Sequence, residues 1–325
     1  MDLRPEPGTR ASPGLVLAVD VGGTETKGAL LQRDGNVVAL QRRPTGASDG
    51  PDAVLERTGL LLRDLLAQAR ALGHGAVLGA GVAVPGVVDE SAGVARFGAN
   101  ITWNEASVSR RLGDALGFPV VLSHDVRAAG LAEARIGAAR GVRDWLFVAL
   151  GTGIAGAIFV ASHPVVGAHG LAGELGHVSV EPDGWLCGCG SNGCLETVAS
   201  AAAIARRYVR RCPEHRHATA KDVLERARNA EPDACAVRDE AVEALARVLV
   251  IYQCIVDPEL IVIGGGLSLA GPLLFEPLDE VLRRHPAFAV TPRVKPAMFG
   301  SDAGCIGAGL AAWASIAGSV DRRSG

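Results

Sequence analysis

Apolar residues fall into short blocks that alternate between two periods. Residues 15–20 form an apolar run that ends at an Asp and a Gly-Gly pair, the pattern of a buried strand entering a tight turn. Residues 29–33 and 36–41 read as two further strands joined by an Asp34-Gly35 hairpin signal. Leu and Ala recur at helical spacing over 52–72, and a strand at 76–84 ends at Pro85-Gly86. A helix over 105–116, a short strand at 120–122 and a helix over 126–137 follow. The second half restarts in the same way: a strand at 144–150 runs into Gly151-Thr152-Gly153, and the next strand occupies 154–160. Residues 167–195 are rich in Gly and Cys, show no period and read as a structured loop. Helices are predicted over 197–211, 219–229 and 234–255, then a strand at 260–263 ending in Gly264-Gly265-Gly266. A helix over 272–284, a strand near 294–299 and a last helix over 303–316 close the chain.

Strands alternate with helices throughout, which predicts an α/β architecture. Because the strand–glycine-turn pattern occurs early in both halves, two related lobes around a cleft are the economical reading. The expected organisation is a disordered tail at 1–14, an N-terminal lobe at 15–122 and a C-terminal lobe at 123–325 with its Cys-rich loop at 167–196. The last helix is free to pack back on the N-terminal lobe.

Composition narrows the function classes. The 325 residues are ample for two lobes, and 48% hydrophobic content supports a sizeable core. Formal charge is −3, so the basic excess of a polyanion binder is missing and no nucleic-acid partner is expected. The opening MDLRPEPGTR carries charges and two prolines but no apolar core of a secretory signal. No run reaches the ~18 apolar residues of a membrane span. A cytoplasmic protein with no membrane partner is expected. There are seven Cys, and Cys187, Cys189 and Cys194 crowd together. An odd count in a chain with no leader argues for a metal or redox cluster over a disulfide framework.

The glycine turns carry candidate chemistry. Asp20-Val-Gly-Gly-Thr24 follows a strand; the bare backbone of Gly22 and Gly23 lets N–H groups approach a phosphate, and Asp20 can hold Mg²⁺ through water. Gly151, Thr152 and Gly153 offer the same chemistry plus a hydroxyl. Gly264 and Gly265 would admit a flat adenine or ribose against bare backbone. No Gly-Lys-Ser/Thr follows any of them, so none is a P-loop. Taken singly, each is a tight turn that needs positive φ; three in one chain, one led by Asp, shift the balance to nucleotide binding.

His177, Cys187, Cys189 and Cys194 supply four soft or borderline ligands with no carboxylate, the donor set of a closed structural Zn²⁺ site. The competing reading is a group of reduced buried thiols. Three Cys between glycines in a polar loop fit a core poorly. Among carboxylates, Asp125 begins a helix after a strand, and Glu174 and Glu196 bracket the Cys-rich loop together with His177. Phosphoryl transfer to a hydroxyl needs one carboxylate as proton acceptor. Asp125 also suits a helix N-cap and Glu196 a first-turn acid, and composition does not choose between these roles.

Asp20-Val-Gly-Gly-Thr24, Leu150-Gly-Thr-Gly153, Glu174-Leu-Gly-His177 and Cys187-Gly-Cys-Gly-Ser-Asn-Gly-Cys-Leu-Glu196 together resemble the ROK family of sugar kinases and repressors, its bacterial glucokinases above all. The resemblance runs from about residue 15 to about residue 314. It implies an actin-like, RNase H-like ATPase fold in two lobes, with ATP, Mg²⁺ and a structural Zn²⁺, and homodimers or higher homo-oligomers. Carried over by position, Asp125 is the base that deprotonates the acceptor hydroxyl. Asn100, Glu174, His177 and Glu196 match sugar-contacting positions, with His177 placing one ring nitrogen on zinc and the other toward the sugar. Asp20, Gly23, Thr24, Gly151, Thr152, Gly153 and Gly265 match ATP and Mg²⁺ positions.

Two departures stand out. The family usually has Asn-Asp-Ala-Asn around the base, where this chain has His124-Asp125-Val126-Arg127. The sugar contact of the first Asn would then fall to His124, which changes the expected acceptor range. The position after Thr24 is commonly Lys and is Glu25 here. The implied activity is ATP-dependent phosphorylation of a hexose, glucose to glucose 6-phosphate. The alternatives are another sugar-like polyol, such as an amino sugar or C7-cyclitol, and a non-catalytic sugar-sensing transcriptional regulator. Regulators of the family carry a DNA-binding domain ahead of the kinase-like body, and too few residues precede the first strand for one, so the enzyme is expected.

Overall fold

In the computed structural model the described residues are 14–74, 76–98, 100–284 and 290–321. Two five-stranded sheets are built alike. In the first, the order is Val37–Pro44, Glu25–Leu31, Leu15–Val21, Val77–Val84, Val120–His124. In the second it is His163–Val165, Ile154–Val160, Trp145–Leu150, Leu260–Gly264, Arg293–Pro296. Each sheet therefore runs third, second, first, fourth, fifth by order of appearance. In both, the hairpin strands pair antiparallel and the last two pair parallel with the central strand and with each other in turn. The repeat seen in the sequence is thus a repeat of topology. A third, small antiparallel sheet joins Val87–Asp89, Val94–Phe97 and Asn104–Ala106.

The chain forms two compact units. One reaches to Ala129 and includes the segment from Gly304; the other is Gly130–Ala303. In the first, the strand Leu15–Val21 is buried on both faces, as the central strand of a sheet covered on both sides should be. Period two divides its side chains. Leu15, Leu17 and Val19 pack with Leu61, Leu62 and Leu65 of the helix Pro51–Ala71, whereas Ala18 packs with Ala29 and Cys305. The second face is lined by small residues, which lets the helix Ala303–Asp321 lie close. The Trp313 Nε1–H of that helix donates to Leu31 O at 3.4 Å. A Cβ on Gly304 would sit 2.6 Å from Asp20 Oδ2, so only glycine fits where this helix starts beside the Asp20 carboxylate. In the second unit, Leu146, Val148, Ile261 and Ile263 pack with Tyr208, Val237, Leu245 and Leu249 from the helices Ala201–Arg211 and Pro232–Val256.

Several expectations are corrected. The helix expected over 105–116 spans Val108–Leu116, because Asn104–Ala106 pairs with Val94–Phe97 and Glu105 holds φ of 47°, outside the right-handed helical region. The helix expected over 197–211 is two, Glu196–Ala199 and Ala201–Arg211. Ser200 between them is extended, and its hydroxyl caps the second by accepting from Ala203 N at 3.1 Å. The strand near 294–299 is Arg293–Pro296. It stops because the amides of Met298 and Phe299 turn to the Glu133 carboxylate, at 2.8 and 3.1 Å. Of the tail expected at 1–14, residues 1–13 lie outside the described residues.

Glu133 is fully buried and accepts a third amide, Ala138 N, at 2.8 Å. Glu133→Ala would strand these donors, each costing about 1–3 kcal/mol when left unpaired. Equilibrium urea unfolding should show a loss on the order of 3 kcal/mol or more at unchanged slope. Glu133→Gln should lose less, since its carbonyl still accepts. A wild-type midpoint for Glu133→Ala would contradict this.

Candidate active site

In the first unit three parallel strands, Leu15–Val21, Val77–Val84 and Val120–His124, end on one edge of the sheet. Ligands of open α/β sheets bind outside such carboxyl ends. The edge gathers the Asp20–Thr24 turn, the Pro85-Gly86 turn and Asp125. The first turn is clamped from below: Thr45 Oγ1 donates to Gly22 O at 2.7 Å, and Thr45 N donates to Thr24 O at 2.9 Å. Gly23 and Thr24 remain exposed, so their backbone is open to a ligand. Asn100 lies beside Gly23, with its Cβ 3.5 Å from where a Gly23 side chain would begin. Trp103 pins this loop by donating Nε1–H to Pro85 O at 3.1 Å. Glu25, where the family commonly has Lys, meets Arg42 at 3.0 Å, so its charge is paired on the sheet.

Asp125 is the first residue of the helix Asp125–Ile136 and follows directly on a strand. Its Oδ1 accepts from Val126 N at 2.7 Å, one residue on, whereas a capping carboxylate reaches two or three residues on. His124 Nε2 lies 3.4 Å from the same oxygen. His124 and Arg127 are only 6% and 4% exposed. Glu90, which the sequence pattern does not single out, accepts from both: His124 N and Arg127 Nε each reach its Oε1 at 2.9 Å. A buried Arg in a helix beside a candidate base requires an acidic partner somewhere, and that requirement was the available signal for Glu90.

In the second unit the turns after Trp145–Leu150 and Leu260–Gly264 lie on one edge, because these strands are parallel neighbours. Gly265 has φ of 82°, and a Cβ there would fall 2.3 Å from Leu150 O. The bare residue lets the Gly264-Gly265 turn press against the end of the strand that leads into Gly151. Thr152 and Gly153 are exposed. Glu196 does more than begin a helix, since its Oε2 accepts from Ile154 N at 2.9 Å beside Gly153. It therefore ties the Gly151–Gly153 turn to the end of the Cys-rich loop.

That loop gathers its three Cys residues and His177 at one place. Antiparallel bridges Ser179–Cys194 and Leu186–Asn192 bring the Cys residues onto His177. Cys187 Sγ is 3.6 Å from His177 Nδ1, Cys189 Sγ is 3.6 Å from Cys194 Sγ, and all four ligand atoms lie within 4.8 Å of one another. Zn–S bonds of about 2.3 Å in a tetrahedron require S–S edges of about 3.8 Å. Donor type, count and spacing therefore fit a metal ion such as Zn²⁺. A hydrogen bond from Ser191 N–H pulls the Cys189 thiol down to about 7, and burial pushes Cys194 up to about 12. The other ring nitrogen of His177, Nε2, lies 3.9 Å from Glu174 Oε2, so the ring spans the thiol cluster and that carboxylate. Burial first, and then the Glu174 charge, raises the Tyr252 hydroxyl, a neighbour that no motif points to.

A family model described as ROK family matches residues 16–315. The chain belongs to the ROK family. Among curated ROK-like relatives, the glucokinase of Thermotoga maritima is 35% identical over 309 residues, covering 90% of this chain and 95% of that one. The N-acetylmannosamine kinase of Escherichia coli O157:H7 is 30% identical over 305 residues, covering 91% and 97%. A crystal structure of a ROK family glucokinase from Streptomyces griseus, in complex with glucose and AMPPNP, matches with a TM-score of 0.80 at 28% identity, covering 92% of this chain and 99% of that one. The mixed α/β architecture is the ROK kinase fold. Among the described residues of this ROK chain, no helix is long and apolar enough to cross a membrane.

Proposed function

We propose that this ROK chain is an ATP-dependent sugar kinase that transfers the γ-phosphoryl group of ATP to glucose, giving glucose 6-phosphate and ADP. The observation that carries the reading is Asp125, a partly exposed carboxylate at the carboxyl end of three parallel strands in a chain that aligns with glucokinases over 90% or more of its length. Asp125 takes the proton of the acceptor hydroxyl as its oxygen bonds to the γ-phosphorus and the bond to the β-phosphate oxygen breaks. Exposed backbone at Gly23, Thr24, Thr152 and Gly153 suits phosphate oxygens, with Gly22 and Gly151 shaping the two turns, and Gly264 with Gly265 suits the nucleoside. Asp20 is placed to hold Mg²⁺, which when bound offsets phosphate charge. Asn100, Glu174, His177 and Glu196 are assigned to sugar hydroxyls. His177, Cys187, Cys189 and Cys194 hold Zn²⁺, which when bound fixes the loop that presents Glu174 and Glu196.

A second reading is an N-acylated amino sugar as acceptor. The 30% identity to an N-acetylmannosamine kinase favours it. Coupled ADP release should be measured over glucose, N-acetylmannosamine and cyclitols at saturating Mg·ATP. Glucose is expected to give the highest kcat/KM. A preference for N-acetylmannosamine would transfer the assignment to the second reading, and ADP release indifferent to every polyol would overturn both.

A further inference from the structure

Two buried polar residues flank Asp125 in sequence and share one acceptor, His124 through its backbone N–H and Arg127 through its side chain. Arg127 is 4% exposed, and a guanidinium at that depth needs a carboxylate close by. Glu90 supplies it, with Oε1 2.9 Å from Arg127 Nε. The same oxygen accepts His124 N–H at 2.9 Å. Glu90 therefore crosses from another part of the unit to fix the backbone at the junction where the strand Val120–His124 becomes the helix Asp125–Ile136.

The His124 ring continues the arrangement. Nε2 faces Asp125 Oδ1 at 3.4 Å, and Nδ1 is buried with no hydrogen-bond partner among the described residues. A carboxylate oxygen accepts, so a hydrogen bond across this contact is donated by Nε2. A separation of 3.4 Å is long for a hydrogen bond, as catalytic contacts often are before substrate binds. Both the Val126 N–H and the His124 ring address Oδ1. Oδ2 is then the oxygen available to an acceptor hydroxyl. Because His124 is covered, it acts on the acceptor through Asp125 and not by a contact of its own.

We propose that Glu90, Arg127 and His124 form a positioning brace for Asp125: Glu90, neutralised by Arg127, pins the His124 backbone, and the His124 ring holds Oδ1 so that Oδ2 faces the acceptor. This rests on the reading of Asp125 as the base. Misplacing a reacting group by about 1 Å costs up to about a hundredfold in rate. His124→Ala and Glu90→Ala are therefore expected to lower kcat with glucose by about 10- to 100-fold, with KM for ATP within about twofold of wild type. His124→Gln carries an amide N–H that can reach Oδ1, and Glu90→Gln keeps a carbonyl acceptor. Each should recover several-fold over its Ala counterpart. On an Asp125→Asn background, His124→Ala should add little further loss, because groups that act through one another are not additive.

The outcomes separate the two readings. If Asp125→Asn retains turnover, the base assignment fails. If Asp125→Asn is inactive while His124→Ala and Glu90→Ala keep wild-type kcat, the base stands and the brace is overturned. The brace is overturned as well if kcat falls in His124→Ala but His124→Gln recovers nothing. Should Glu90→Ala fail to fold once Arg127 loses this carboxylate, the His124 pair decides alone.

Discussion

Replacing Asp125 with Asn is expected to lower kcat for glucose phosphorylation by about a thousandfold, within the range that a positioned general base contributes. Asn is nearly isosteric and its carbonyl still accepts from Val126 N, the bond that Oδ1 makes at 2.7 Å. The start of the helix Asp125–Ile136 should therefore be unchanged. What is lost is a group that takes a proton. The nucleotide turns involve other residues, so Mg·ATP affinity by calorimetry and the thermal midpoint should stay near wild type. This combination separates a base from a structural carboxylate, since loss of a cap would lower stability by about 1 kcal/mol and leave the chemistry alone. Activity above a few per cent of wild type would remove Asp125 from the mechanism.

Cys189→Ser is expected to abolish stoichiometric zinc binding and to lower stability by several kcal/mol. Cys189 is the exposed cysteine of the cluster, Cys187 and Cys194 being buried, so its substitution disturbs packing least and reports mainly on the metal. Binding energy of a structural zinc is folding energy, on the order of 10 kcal/mol in small zinc domains. Here the ion would staple a loop whose own contacts are mostly turns. Losing it should free Glu174 and Glu196, so glucose KM should rise more than ATP KM. Elemental analysis should find about one Zn²⁺ per chain in wild type and much less in the variant. Zinc-free wild-type protein, purified without chelator, would refute the site.

Much of this was legible in the sequence because burial imposed it. The run that became Leu15–Val21 is apolar except for Asp20 near its end, and Leu260–Gly264 has no polar side chain, since inner strands are covered on both faces. The Cys-rich loop was legible because its ligands lie close in sequence and their chemistry is narrow. The small sheet of Val87–Asp89, Val94–Phe97 and Asn104–Ala106 was not, since its strands have three or four residues and partly polar composition. Asp125 was one carboxylate among several until resemblance singled it out. Arg127 beside the candidate base called for an acidic partner, but not for Glu90 in particular, which meets His124 and Arg127 across 34 and 37 residues in a contact that only the fold creates. His124 was expected to touch sugar, and its burial against Asp125 gives the substitution a different physical meaning.

Phosphorus NMR of the purified chain with Mg·ATP and glucose tests the proposed activity most directly. Glucose 6-phosphate and ADP should appear in equal amounts, with neither formed when glucose is left out and both lost in Asp125→Asn. Inorganic phosphate in place of a sugar phosphate, or no turnover of ATP with glucose at all, would contradict a glucose kinase.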